Sequence, residues 1–303
     1  MAAEFSISVR FYRLSEALQP YFTALYATTI DCAPGVQVTD CLHPEWAALR
    51  FTEGPAPFAC IGPGELVRQW PFVANGPTSQ GIYFGVTRSR IWGLGLQPAG
   101  WSKFVSHPAN NLSDRTVDGS VHEAFALFAP IQGIVEGADG DDDRIAVGIN
   151  DYLMQHADRP TPQETQILAC QAALRDPAIA NVAALAERLG LGERSLERLC
   201  GRYFGFPPKL LLRRQRFLRS LAGHMLDPAR GWSKALDEQY YDQAQFVRDF
   251  RSFMGTTPSE YADAPHPILE KIMAQRLADQ GAAPATDLPT VLRYMADRPG
   301  TSE

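Results

Sequence analysis

Apolar and polar residues alternate in short runs over the first hundred positions, and Pro or Gly separates several of those runs. Phe5–Tyr12, Tyr21–Thr29, Val36–Thr39, Ala47–Phe51, Phe58–Ile61, Gly81–Thr87 and Ile91–Leu96 carry β-branched and aromatic residues and predict strands. CAPG, EGPAP and GPGE supply turns between them. Many short strands in succession predict an antiparallel sheet, barrel or sandwich. After Trp101 the texture changes. Val121–Phe128, Ala146–His156 and Gln163–Leu174 predict helices, and the acidic run Glu136–Arg144 predicts a linker. Helical patterning continues to Tyr261, and Pro267–Leu277 predicts one more helix. Gly281–Pro289 and the polar end read as a loose tail. The expected fold class is α+β, with a β-rich domain over 1–135, a linker and connecting helices over 136–175, an all-α domain over 176–262 and a terminal helix and tail over 263–303.

Within the helical part, Val182, Leu185, Ala186 and Leu189 form one apolar stripe, and Gly190 follows where a left-handed residue would stop the helix. Leu196, Leu199, Cys200 and Tyr203 repeat the spacing a few residues on. Two short helices with facing stripes predict a helix-turn-helix. On the outer face of the second helix, Arg194, Arg198 and Arg202 recur at i, i+4 steps. Like charges at that spacing destabilise an isolated helix, and a polyanion turns the cost into a gain. The alternative is a solvated face screened by Glu197.

Pro207 and Pro208 can begin a helix but not interrupt one. Lys209–Leu226 therefore predicts a long helix with Leu210, Phe217, Leu221 and Met225 on one stripe. Arg213, Arg214, Arg216 and Arg219 lie off that stripe, and the expectation is that some meet a phosphate backbone and others are plain surface. Downstream, Asp242 predicts an N-cap for a helix Gln243–Phe253, with Phe246, Phe250 and Phe253 as its core stripe. Its outward face presents Gln243, Ala244, Val247, Arg248 and Arg251, residue types able to reach adenine, guanine and thymine edges.

Charge sharpens this picture. The 303-residue chain carries a net −6, but Arg175–Ala262 holds fourteen Lys/Arg and ten Asp/Glu, or +4, which leaves −10 elsewhere. Glu193–Arg219 alone holds eight basic and two acidic residues. Local field rather than total charge draws phosphate to a surface. Five scattered cysteines and the absence of a basic, then apolar, leader in MAAEFSISVR point to the cytoplasm. No apolar run approaches the roughly 18 residues of a membrane span.

AALAERLGLGERSLERLCGRYFGFPPKLLLRRQRF and YYDQAQFVRDFRSFMGTTPSEY together resemble the AraC/XylS family of transcription regulators over roughly residues 179–261. Both halves occur in order at suitable spacing. The resemblance implies double-stranded DNA as partner, with one helix of each unit in successive major grooves. It implies Arg194, Ser195, Glu197 and Arg198 on the base side in the first unit, and Gln243, Ala244, Val247 and Arg248 in the second. The sequence departs from the family pattern at Lys234, Glu238 and Gln239, in the positioning helix expected over Trp232–Gln239, and at Gly192, where the family has a Ser cap. Charge where packing is expected predicts a rotated or loose helix. ACIGPGELVRQW and GLGLQPAGWSKF resemble, more faintly, a β-rich domain that precedes this module in some members. Such domains, commonly cupin-like, sense small molecules or mediate dimerisation, so a small-molecule effector and a homodimer are expected by analogy.

No cofactor and no catalytic centre is expected: phosphate loop, nucleophile elbow, HExxH and redox CxxC are all absent. Asp40, Cys41 and His43 lack a second pair at metal-ligand spacing and read as core or loop positions, as do the lone His107 and His122. Trp70, Tyr83, Phe84 and Trp92 read as core rather than as a pocket wall. Two rival readings stand beside the regulator: an effector-binding or protein-interaction module with a degenerate helix-turn-helix domain, and an N-terminal enzyme fused to a DNA-binding domain.

Overall fold

A computed structural model describes residues 5–226 and 231–278. Among these residues ten strands form two antiparallel sheets. The larger runs β1 (Phe5–Tyr12), β2 (Phe22–Cys32), β9 (Ser89–Leu96), β4 (Ala47–Glu53), β7 (Phe72–Asn75) and β10 (Thr116–Asp118). The smaller runs β3 (Val38–Leu42), β8 (Ile82–Val86), β5 (Phe58–Ile61) and β6 (Val67–Arg68). In the larger sheet Thr28 lies opposite Ile91 and Ile91 opposite Thr52, which puts three side chains in one row across β2, β9 and β4.

Eleven helices are described. α1 (Pro98–Phe104), α2 (Pro130–Glu136), α3 (Asp142–Met154) and α4 (Glu164–Arg175) lead from the sheets. Then come α5 (Val182–Leu189), α6 (Glu193–Leu199), α7 (Pro208–Leu226), α8 (Trp232–Ala235), α9 (Gln243–Met254), α10 (Pro258–Asp263) and α11 (Pro267–Ala278). The chain is thus a β-rich N-terminal part followed by a helical part, as expected. The tail expected over Gly281–Pro289 lies outside the described residues.

Some local expectations are corrected. Val121–Phe128 is not a helix; only one tight turn forms at Glu123–Phe125, capped by the His122 side chain. Pro130, which has no N–H, then opens α2 in a fresh direction. α1 carries no amphipathic pattern because six of its seven residues are buried, so periodicity could not reveal it. Trp70 is 38% exposed rather than core. The predicted linker Glu136–Arg144 is shorter than drawn, because Asp141 caps α3 by accepting from the Asp143 and Arg144 amides.

One hydrophobic core runs without a break from Leu14 in the β-rich part through α1–α4 to Leu196, Phe204 and Leu211. A second gathers Phe217, Leu221, Tyr240, Phe246, Phe250, Phe253 and Tyr261 together with Cys41. A third joins Ile30, Val38 and Val86 of the sheets to Ile268 and Ile272 of α11. All three therefore cross between strands and helices, and the burial of apolar area holds the helical units on the sheets.

Candidate nucleic-acid interface

α5 begins at Asn181, whose Oδ1 accepts from the Ala184 amide at 2.9 Å. It ends at Gly190 with φ +62°, a left-handed position that favours glycine. The Leu191 amide reaches back to the Ala186 carbonyl at 3.0 Å and closes the turn. Leu185, Ala186, Leu196 and Leu199 are buried between α5 and α6. The first helix-turn-helix thus forms where the apolar stripes placed it. Gly192 caps α6 without a side-chain bond.

Arg194, Glu197, Arg198 and Arg202 are exposed and Ser195 is half-buried. Among the described residues none of the three arginines has an ion-pair partner. Arg202 lies in a π-helical turn, Cys200–Phe204, 5.6 Å from the Tyr203 ring centroid. The wider i→i+5 step changes the angle between successive residues, so Arg202 does not continue the Arg194–Arg198 line at the α-helical pitch.

In the second unit Asp242 caps α9 by accepting from the Gln245 amide at 2.6 Å, and Gln245 Oε1 accepts from the Tyr241 amide at 3.1 Å. Phe246, Phe250 and Phe253 are buried, whereas Gln243, Ala244, Arg248 and Arg251 are exposed and Val247 is half-buried. Gly255, with φ +68°, ends the helix where a Cβ would lie 2.8 Å from the Pro63 ring.

The positioning helix of this unit is much shorter than Trp232–Gln239. α8 stops at Ala235, and Leu236 turns extended. Lys234 and Glu238 therefore stay in water, which avoids burying unpaired charge. Packing comes instead from Trp232, stacked 3.7 Å from His224 and tilted against Phe246. Asp237 pairs with Arg219, and Gln239 donates to the Pro177 carbonyl.

The four arginines of α7 are also reassigned, because each is bound inside the chain. Asp249, only 3% exposed, accepts from Arg213 at 2.6 Å, from Arg216 at 2.9 Å and from the Tyr240 hydroxyl at 3.1 Å. Arg219 holds Asp237. Arg214, 1% exposed, donates to the Thr78 carbonyl at 2.8 Å and the Glu45 carbonyl at 3.2 Å, and its guanidinium lies 3.9 Å from the Trp46 ring centroid. A buried guanidinium needs this many acceptors to offset its lost hydration. Sequence reasoning missed Asp249; its signal was an acid amid three phenylalanines on the inward face of α9.

The β-rich part grips the ends of both outward-facing helices. Ser113 Oγ donates to the Gly205 carbonyl at 2.7 Å, just beyond the π turn. The Gly81 amide donates to the Phe253 carbonyl at 2.7 Å, and the Tyr83 hydroxyl to the Met254 carbonyl.

Asp40, Cys41 and His266 bring three potential metal ligands within 4.8 Å of one another. Their donor atoms are already engaged. Asp40 Oδ1 accepts from the Cys41 amide and faces His266 Nδ1 at 3.1 Å, while Oδ2 accepts from the Ile268 and Leu269 amides at 2.7 and 2.8 Å. His266 Nε2 faces the Tyr261 carbonyl at 2.9 Å. Burial opposes charge on His266, but the Asp40 bond, together with Cys41 and the Tyr261 carbonyl, outweighs it and raises the imidazole to about 10. Burial pushes His43, which faces the Tyr261 hydroxyl at 2.7 Å, down to about 3. The cluster caps α11 and does not fit a metal-ligand set. His43 stands outside it. Among the described residues, no helix is long and apolar enough to cross a membrane.

A family model described as "Helix-turn-helix domain" matches residues 185–264. No curated protein matches the sequence. The crystal structure of ToxT from Vibrio cholerae O395 is 10% identical and is similar over 86% of this chain and 97% of that chain, at a TM-score of 0.41. The same protein bound to (E)-4-(8-methylnaphthalen-1-yl)but-3-enoic acid is 9% identical over 86% and 98%, at 0.41. The AraC-like transcriptional activator CuxR is 13% identical over 71% and 86%, at 0.30. Residues 185–264 of the chain are a helix-turn-helix domain.

Proposed function

We propose that the chain is a sequence-specific, DNA-binding transcription regulator whose affinity for DNA is controlled by a small molecule at the β-rich part. The single observation that carries this is the pair of helices α6 and α9, each with a buried apolar face and an exposed polar face bearing Arg194 and Arg198, or Gln243 and Arg248. α6 and α9 each enter a major groove. Arg194, Arg198, Gln243 and Arg248 contact base edges, with Ser195, Glu197, Ala244 and Val247 beside them. Arg202 and Arg251 hold phosphates, which orient the chain without reading sequence. Because the α7 arginines are engaged by the chain's own acceptors, phosphate binding falls to few side chains, and affinity depends on both units engaging together.

The β-rich part acts as a sensor rather than as an enzyme, and the regulator works in the cytoplasm, where two copies bind neighbouring sites. The butenoic acid derivative bound to ToxT belongs to that protein. Footprinting of the purified chain on fragments of its own upstream region tests the proposal. Protection over two neighbouring helical turns is expected, and no protection at low salt would refute it.

A further inference from the structure

We propose, on the DNA-binding reading above, that Tyr241 positions the second unit on DNA by donating its hydroxyl to a backbone phosphate beside the groove that α9 enters. Tyr241 is 94% exposed, whereas the next most exposed aromatic side chains among the described residues, Phe58 and Trp70, are at 38%. A ring left wholly in water forgoes the burial that normally stabilises it. Among the described residues neither the Tyr241 ring nor its hydroxyl has a partner in the chain.

A fixed backbone nonetheless presents this ring. The Tyr241 amide donates to Gln245 Oε1 at 3.1 Å. On one side the Tyr240 hydroxyl donates to Asp249 at 3.1 Å, and on the other Asp242 accepts from the Gln245 amide at 2.6 Å. Gln239 is tied to the Pro177 carbonyl. Residues 239–242 are thus each anchored, and of the two tyrosines one is buried while the other stands in water. Such a tether lowers the ordering entropy that a contact with DNA must overcome.

The position selects the partner. A helix-turn-helix unit turns the start of its recognition helix to the bases. Tyr241 lies just ahead of Gln243 and Ala244, where the sugar–phosphate backbone borders the groove. Gln239 and Gln245 also line a cleft of about 510 Å³ that includes Lys209, Arg213 and Arg216. The lining holds these three cations and no acid, and Asp249, shared by the two arginines, offsets one charge. The surplus positive field favours an anion at the rim where Tyr241 stands. Gln239, Asp242 and Gln245 flank the ring and are polar, which disfavours an apolar protein surface as its partner. A phenol hydroxyl bonded to a phosphate oxygen makes a charge-assisted contact that carries no sequence information.

Fluorescence anisotropy of the full chain on the footprinted duplex and on an unrelated duplex at low salt, with Tyr241→Phe and Tyr241→Ala, tests this. Tyr241→Phe is expected to bind both duplexes about fivefold more weakly, and Tyr241→Ala more weakly still. The dependence on salt should keep its wild-type slope, because a neutral hydroxyl releases no counterion. Both variants should melt like wild type, since the ring is exposed. Ethylation interference should find a phosphate whose ethylation weakens wild type but not Tyr241→Phe.

Wild-type affinity in Tyr241→Phe, a loss confined to the footprinted sequence, an altered salt slope or an unchanged interference pattern would each overturn the proposal. Unchanged DNA binding would instead leave the ring for a protein partner. If the wild-type chain binds no duplex at low salt, the regulator reading fails and the role of Tyr241 with it. If wild type binds and Tyr241→Phe matches it, only the role of Tyr241 fails.

Discussion

Arg216 of α7 and Asp249 of α9 meet at 2.9 Å, with the carboxylate almost completely enclosed. Arg213 and Tyr240 complete the ring around it. The second helix-turn-helix unit, whose positioning helix is only four residues long, therefore depends on this polar hub as well as on its phenylalanines.

Asp249→Ala should lower stability by about 3 kcal/mol, because Arg216 is left enclosed without its counter-charge. The estimate sits at the low end of such losses since Arg213 keeps partial access to water. Denaturant titration checks it. A loss below about 1 kcal/mol would show that the hub is dispensable.

Arg214 binds the helical part to the β-rich part through two carbonyls and an aromatic ring. Arg214→Ala should cost about 2–4 kcal/mol. Arg214→Lys should recover only part of that, because an ammonium cannot reproduce the planar, ring-stacked guanidinium. Thermal melts of the two variants beside wild type decide the point; full recovery by lysine would contradict the stacking role.

Two histidines set opposite pH limits on the docking of α11. His266 is raised from 6.5 to about 10, so the stability it contributes is complete below 6.5 and fades as pH rises toward 10. His43 is lowered from 6.5 to about 3, so its cost to stability grows as pH falls below 6.5, where the unfolded chain gains a proton that the folded chain refuses. These two groups alone place the optimum near pH 6.5. Asp40, Cys41 and Tyr261 surround them, so the assignment is made by variant. His266→Gln should flatten the alkaline limb of stability against pH, while the acid limb persists in weakened form, because burial is the first cause of the lowering at His43 and the charge of His266 the second.

The elements that pair an apolar face with a polar one were legible in the sequence. α5, α6, α7 and α9 show 3.6-residue stripes with a glycine, proline or acid cap at an end, and those local signals survive folding because water lies on one side. α1 is buried nearly all round and so has no stripe to read. The fates of Arg213, Arg214, Arg216 and Arg219 were illegible for a different reason. Their acceptors, Asp249, Thr78, Glu45 and Asp237, lie between 18 and 169 residues away along the chain, and a basic helix face looks the same whether it meets phosphate or its own fold. The shortened α8 was half legible: Lys234 and Glu238 signalled trouble, and the chain resolved it by ending the helix early rather than by rotating it.

Affinity for DNA should fall with salt, with a slope near −0.9 for each phosphate neutralised. Arg202→Ala should lower affinity similarly for all sequences and reduce that slope by about one. Binding titrations at several salt concentrations measure it, and an unchanged slope would remove Arg202 from the phosphate contacts.

The central claim is that the exposed arginines of α6 read DNA while those of α7 hold the fold together. Fluorescence anisotropy of the footprinted duplex with the Arg194→Ala/Arg198→Ala chain, alongside its melting temperature, tests it directly. Arg198→Ala alone should cost about 1–3 kcal/mol of binding, the double variant should lose more, and both should melt like wild type. Wild-type affinity in the double variant, or a binding loss matched by a fall in melting temperature, would contradict it.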